Sequence, residues 1–231
     1  MEKRGAMKFG GLQKTSLIDF PGKVSSVLFV IGCNLRCPFC HNGRLIVDPK
    51  PPFLSKEDAL KVLRSRKKYV DAVVITGGEP AMNSDLPAFV RTLKGEGFLV
   101  KLDTNGFFPN ILKECLPSLD YVAIDLKTSL EKYKLMGARD TSSLMTSIKL
   151  LIEGSVDYEF RCTVVPTIVA AEDIPKMGET VKGAKRFAFQ QFVPGETLDK
   201  DFNNLKPYPP DVIRGFAETM KKYVGEVILR I

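Results

Sequence analysis

Apolar residues along this chain gather into short runs of the kind that strands covered on both faces require. They are SSVLFVIG (25–32), AVVIT (72–76), FLVKLD (98–103), YVAIDL (121–126), YEFRCTVV (158–165), RFAFQQF (186–192) and EVILRI (226–231). Between them the spacing lengthens to that of amphipathic helices. Helical segments begin at Ser55 (SKEDALKVLRSRKK, with Ser55 and Asp58 as a capping box) and at Ser84 (SDLPAFVRTLKGEG). Two more close on glycine, SLMTSIKLLIEG at Gly154 and PDVIRGFAETMKKYVG at Gly225. Alternation of this kind predicts an α/β fold with a parallel sheet and helical crossovers, either doubly wound or a complete or partial barrel. DPKPPF (48–53) and KPYPPD (206–211) read as loops leading into helices. With no repeat, low-complexity tract or linker, a single domain over 1–231 is expected.

Functional groups in parallel α/β folds sit where strands end, because the loops there converge on one face. Four consecutive runs here end in polar chemistry. The first leads into Cys33, Cys37, Cys40 and His41; the second into Gly77-Gly78-Glu79-Pro80; the third into Asp103-Thr104-Asn105-Gly106; the fourth into Asp125-Leu126-Lys127. Strand alternation puts Ala123, Asp125 and Lys127 on one face, and Arg161 with Thr163 on another. If these faces are interior, Asp125, Lys127 and Arg161 need partners. For any one of them, membership of a buried ion-pair network without catalytic duty is the simpler alternative.

At 231 residues and 44% hydrophobic, the chain can bury a full core. Its five cysteines are an odd number, three of them clustered, which fits a reducing cytoplasm and thiols that are free or metal-bound. The opening MEKRGAMKFGG lacks an apolar stretch of signal-peptide length, and no run approaches the ~18 apolar residues of a membrane span. A cytoplasmic protein with no membrane partner is expected. The net charge of +7 is scattered among acidic residues, and no nucleic-acid motif is present, so a solvated surface explains it better than nucleic-acid binding.

The stretch GCNLRCPFCHN (32–42) holds three cysteines and the sole histidine. Cys33-x3-Cys37-x2-Cys40 can converge on one inorganic centre. Structural zinc normally takes four ligands. His41 is the nearby fourth candidate, but it directly follows Cys40 and would strain to reach the same ion. A [4Fe-4S] cubane also normally takes four thiolates, and three would leave one iron open to another molecule. Cys115 and Cys162 are isolated and read as core residues.

GCNLRCPFCHN resembles the cluster loop of radical S-adenosylmethionine (SAM) enzymes, including an aromatic, Phe39, before the third cysteine. TGGEP (76–80) resembles that superfamily's GGE motif. Cys40-His41-Asn42, Asp103-Thr104-Asn105-Gly106 and Asp125-Leu126-Lys127 are similar to stretches of the glycyl-radical-enzyme activases. The lead-in SLIDFPGKVSSVLF resembles the anaerobic ribonucleoside-triphosphate reductase activating branch. The resemblance covers about Phe9 to Pro194, and the last forty residues add little to it.

This resemblance implies a partial, open parallel β/α barrel of about six strands. The cluster loop would occupy 32–42, the core about 9–194, and a C-terminal helix with a possible strand 210–231. It implies a [4Fe-4S] cluster held by Cys33, Cys37 and Cys40, whose open iron binds S-adenosylmethionine and cleaves it reductively to a deoxyadenosyl radical. Gly77 and Gly78 would let the backbone approach the cofactor, Glu79 would accept from its amino group, and Phe39 would pack near its adenine. Asp103, Thr104 and Asp125, beside Asn105, match positions that hold a monovalent cation. Lys127 and Arg161 match residues that approach the cofactor, Lys127 with a catalytic role. His41 would be a donor near the cluster or a turn cap. The implied substrate is a partner glycyl-radical enzyme and the electron donor a reduced flavodoxin or ferredoxin. The absence of further Cys-x2-Cys motifs between Asn42 and Lys56 leaves the ribonucleotide reductase and pyruvate formate-lyase activases, with a small-molecule radical SAM enzyme or a zinc-stabilised binding protein as rivals.

Overall fold

The computed structural model describes residues 7–231. The start of the N-terminal stretch read above for targeting signals, residues 1–6, lies outside the described residues. Strand order along the sheet follows the chain: β1 (Phe9–Phe20), β2 (Lys23–Val30), β3 (Ala72–Gly77), β4 (Leu99–Thr104), β5 (Tyr121–Asp125), β6 (Asp157–Val164), β7 (Arg186–Gln191) and β8 (Glu226–Arg230). β1 is antiparallel to β2, while β2, β3 and β4 run parallel, as do β6, β7 and β8. The order begins at β1 and stops at β8, so the sheet is not closed. Each of the seven apolar runs forms a strand. With these seven and β1 the sheet has eight strands against the expected six or so; β1 has no clean alternation, Gly10 and Gly11 interrupt it, and its register against β2 shifts three times.

Helices fill the crossovers. α1 (Gly43–Ile46) is a single turn, followed by α2 (Lys56–Arg66), α3 (Leu86–Gly95), α4 (Pro109–Cys115), α5 (Ser142–Ile152), α6 (Asp173–Thr180) and α7 (Pro210–Met220). The capping box at α2 forms as expected, Ser55 Oγ accepting from the Asp58 N–H at 3.0 Å. At α3 the capping residue is Asp85, whose carboxylate serves other groups: the Met7 N–H at 3.1 Å and the Lys56 ammonium at 2.7 Å.

Two compact units emerge. The first comprises, of the described residues, 7–34, 44–104 and 108–122. Its core packs Phe20, Val27, Ala72, Val74 and Tyr121, with Phe29 and Leu99 against them. All four residues Ala72 to Ile75 of β3 are fully buried, as a strand covered on both faces requires. The second comprises 35–43, 105–107 and 123–231. Its aromatic interior includes Tyr158 and Phe160 on β6 and Phe187 and Phe189 on β7, the latter packed on Phe216 of α7. Glu159, buried on β6, is held by both guanidinium nitrogens of Arg230 on β8, at 3.0 and 2.6 Å. Among the described residues no helix is long and apolar enough to cross a membrane.

Candidate functional site

In the first unit, the strand ends are shaped by backbone crowding. Beyond β2, the Gly32 carbonyl accepts from the Glu79 N–H and the Val30 carbonyl from the Gly78 N–H, each at 2.8 Å. A Cβ on Gly78 would lie 1.9 Å from the Gly32 oxygen, and one on Gly77 would lie 2.6 Å from the Val30 nitrogen at a φ of +106°. The two glycines therefore let two loop backbones touch, a demand independent of any ligand. The turn delivers Glu79, 1% exposed, into the interior. Its Oε1 accepts from the Ala81 N–H at 3.0 Å and from the Thr104 hydroxyl at 2.6 Å. Cys33 follows Gly32 in this unit and is partly exposed.

β4 carries Lys101 and Asp103 on one face, 3% and 7% exposed. The Lys101 ammonium lies 2.9 Å from Asp103 Oδ1, an ion pair whose angle falls short of a hydrogen bond. It donates at 2.6 Å to the carbonyl of Asp19 on β1 and faces the Tyr121 ring at 5.8 Å.

The second unit gathers Cys37, Phe39, Cys40, His41, Asn105, Asp125, Lys127 and Arg161. Asp125, ending β5, receives Arg161 Nε on Oδ1 at 2.7 Å and Lys127 Nζ on Oδ2 at 2.9 Å. Burial pushes its carboxyl up, but the Arg161 and Lys127 charges outweigh that and hold it well below the usual carboxylate range. Burial opposes the Lys127 ammonium too, yet Asp125 and the Cys37 thiol keep it charged and above its ordinary value. Tyr133 anchors the turn, its hydroxyl accepting from the Lys127 N–H at 2.9 Å. Burial raises the Cys40 thiol, eased by the Asn42 N–H and then by Lys127. Lys127 thus works against burial at the Cys40 thiol. Asn105 turns the chain beyond β4, its Oδ1 accepting from the Phe107 N–H at 3.1 Å, and Phe39 is 6% exposed.

The segment 192–199 straps the cysteine loop within this unit. The Leu198 N–H donates to the Cys40 carbonyl at 3.0 Å and the Asp199 N–H to the Pro38 carbonyl at 2.9 Å. His41 stacks on Phe192 with ring centres 5.8 Å apart, and its Nδ1 lies 3.1 Å from the Glu196 carbonyl. Its contacts are those of a residue that fastens the strap. Cys115 and Cys162 are buried core thiols, as expected, Cys115 pushed up to about 12 by burial.

None of the five cysteines is in a disulfide, so the three loop sulfurs are not consumed by a bridge. No three His, Cys, Asp and Glu side chains among the described residues stand close enough to share one ion. Thiolates that each hold a different iron of a cubane need not crowd about one point as zinc ligands do. The donor types therefore suit an iron–sulfur cluster. Asp103 in the first unit is paired with Lys101 and Asp125 in the second with Arg161 and Lys127, while the Thr104 hydroxyl donates to Glu79. Sequence reasoning missed Lys101, Tyr133 and the strap. Lys101 had a signal, a lysine inside an apolar run two residues before an aspartate.

Residues 27–182 match the radical SAM superfamily. A protein of Methanocaldococcus jannaschii, provisionally named a glycyl-radical enzyme activating enzyme, is 35% identical over 95% of this chain and 94% of its own length. A pyruvate formate-lyase-activating enzyme of Clostridium pasteurianum is 27% identical over 81% of each chain. The solved structure of TYW1 with a lysine–pyruvate adduct superposes with a TM-score of 0.61 at 18% identity, covering 86% of this chain and 73% of that one, which shows a shared fold. Motifs, fold and relatives agree, and the chain belongs to the radical SAM superfamily of enzymes.

Proposed function

We propose that this protein activates a glycyl-radical enzyme, the anaerobic ribonucleoside-triphosphate reductase being the favoured partner. The observation that carries the reading is the Cys33-x3-Cys37-x2-Cys40 spacing with none of the three in a disulfide, suited to hold three corners of a cubane and leave the fourth for S-adenosylmethionine. Full-length similarity to a protein named for glycyl-radical activation supports it. The SLIDFPG lead-in favours the reductase over pyruvate formate-lyase.

Bound there, the cluster and S-adenosylmethionine supply the electron and the hydrogen-abstracting power that side chains lack. The protein's own work is positioning. Glu79, buried and aimed by Ala81 and Thr104, offers a carboxylate to the cofactor's amino group. Arg161 and Lys127, anchored on Asp125, present positive charge to its carboxylate and to the thiolates. Phe39 offers an apolar surface for adenine. The net charge of +7 suits an acidic electron donor of the flavodoxin or ferredoxin kind.

The test is anaerobic incubation of the reconstituted, reduced protein with S-adenosylmethionine and candidate glycyl-radical enzymes, read by electron paramagnetic resonance. A glycyl doublet on the reductase supports the reading, and a doublet on pyruvate formate-lyase alone would change the partner. Cleavage of S-adenosylmethionine without any doublet points to a small-molecule substrate. Cys37→Ala should abolish iron uptake, since two thiolates cannot hold the cubane, while Cys115→Ala and Cys162→Ala retain it.

A further inference from the structure

The two carboxylates that the family resemblance assigns to an alkali cation are each paired with this chain's own positive groups. Lys101 is the telling case. Its side chain is 3% exposed, its ammonium is 2.9 Å from Asp103 Oδ1, and its remaining capacity goes to the Asp19 carbonyl and the Tyr121 ring face. A buried lysine persists only where such partners exist. The Asp19 carbonyl is itself fixed by the β1–β2 hairpin, where Ser16 Oγ donates to the Asp19 carboxylate at 2.5 Å and accepts from the Asp19 N–H at 3.3 Å. In the second unit, Asp125 has one oxygen on Arg161 and the other on Lys127.

An alkali ion needs several oxygen lone pairs free to turn toward one point. Here it would also meet an ammonium beside the same carboxylate, and burial magnifies that repulsion. A lysine ammonium is the protein cation closest in character to such an ion, a compact point charge with three donors. It differs in being tethered, so no ion has to be captured.

We infer that Lys101 is a built-in cation, a positioning residue that takes the place of a monovalent metal beside Asp103, so that this chain binds S-adenosylmethionine without sodium or potassium. The ligand's identity rests on the function proposed above; the occupancy of Asp103 by Lys101 does not. The experiment separates the two. Full-length protein, apo and reconstituted with iron, sulfide and S-adenosylmethionine, is dialysed to equilibrium against radioactive rubidium as a potassium surrogate. No stoichiometric rubidium is expected in either form; one ion per chain overturns the inference. S-adenosylmethionine affinity in choline chloride should stay within about twofold of that in potassium chloride at equal ionic strength, whereas a loss of about tenfold overturns it. Lys101→Met, which keeps the length and removes the charge, should acquire a melting temperature that rises in potassium over choline. A Lys101→Met protein that folds and is indifferent to potassium would show that the ammonium replaces nothing. Should the variant fail to fold, the wild-type dialysis decides alone. A protein that takes up neither iron nor S-adenosylmethionine would sink the radical SAM function while the apo dialysis still reads Lys101.

Discussion

The two sets of strand ends solve the same problem, placing polar groups at the edge of a buried sheet, by different means. In the first unit the placement is steric: Gly77 and Gly78 let one loop backbone rest on another, and Glu79 follows from that contact. In the second it is electrostatic: Asp125 holds Arg161 and Lys127 by charge, with Tyr133 bracing the turn. A steric device fails when an atom is added, an electrostatic one when a charge is removed or titrated.

The largest effect should come from adding one carbon. Gly78→Ala drives a Cβ into the Gly32 carbonyl and should cost about 3 kcal/mol or more, read from urea unfolding midpoints. Gly95→Ala, at the end of α3 with open space around it, should instead stabilise by about 0.5 kcal/mol. If both changes cost the same, crowding is not what fixes the first corner.

Asp125→Asn should come next, at about 2 kcal/mol near neutral pH, below the cost of breaking a wholly buried pair because these side chains are 15–28% exposed. Since the folded-state carboxyl is held below its ordinary range, its contribution is complete above about pH 4 and is lost as the pH falls further. The gap between wild type and Asp125→Asn should therefore narrow in acid; a gap constant down to denaturing pH would break the electrostatic reading.

Thr104→Val removes one of the hydrogen bonds on Glu79 and should cost about 1 kcal/mol, since the Ala81 N–H remains. The smallest effect is on reactivity. Lys127→Met should raise the pH at which Cys40 is alkylated in the apo protein, because a charge that eases its ionisation is gone.

Much of this was legible in the sequence. β2 to β8 announced themselves because strands buried on both faces must be nearly continuous in apolar residues, and polar residues at their ends stood out. β1 was not, because a glycine-rich antiparallel strand with repeated register shifts has no period to detect. Asp125, Lys127 and Arg161 were expected to need partners and find them in one another. Gly77 and Gly78 were expected to clear space for a cofactor, and the backbone contact they permit has no pattern in sequence, because it joins two loops more than forty residues apart. The same holds for the strap, whose two bonds to the cysteine loop are made by main-chain amides of Leu198 and Asp199.

That strap sets an order of events during synthesis. The carbonyls of Pro38 and Cys40 wait for amides some 160 residues downstream, so a ribosome has made nearly the whole polypeptide before the cysteine segment can be fastened. Iron delivered to a half-made chain would meet thiols on an unpinned loop. Loading belongs after release, and Leu198→Pro, which removes the amide that meets the Cys40 carbonyl, should leave a protein whose cysteines oxidise sooner than they are filled.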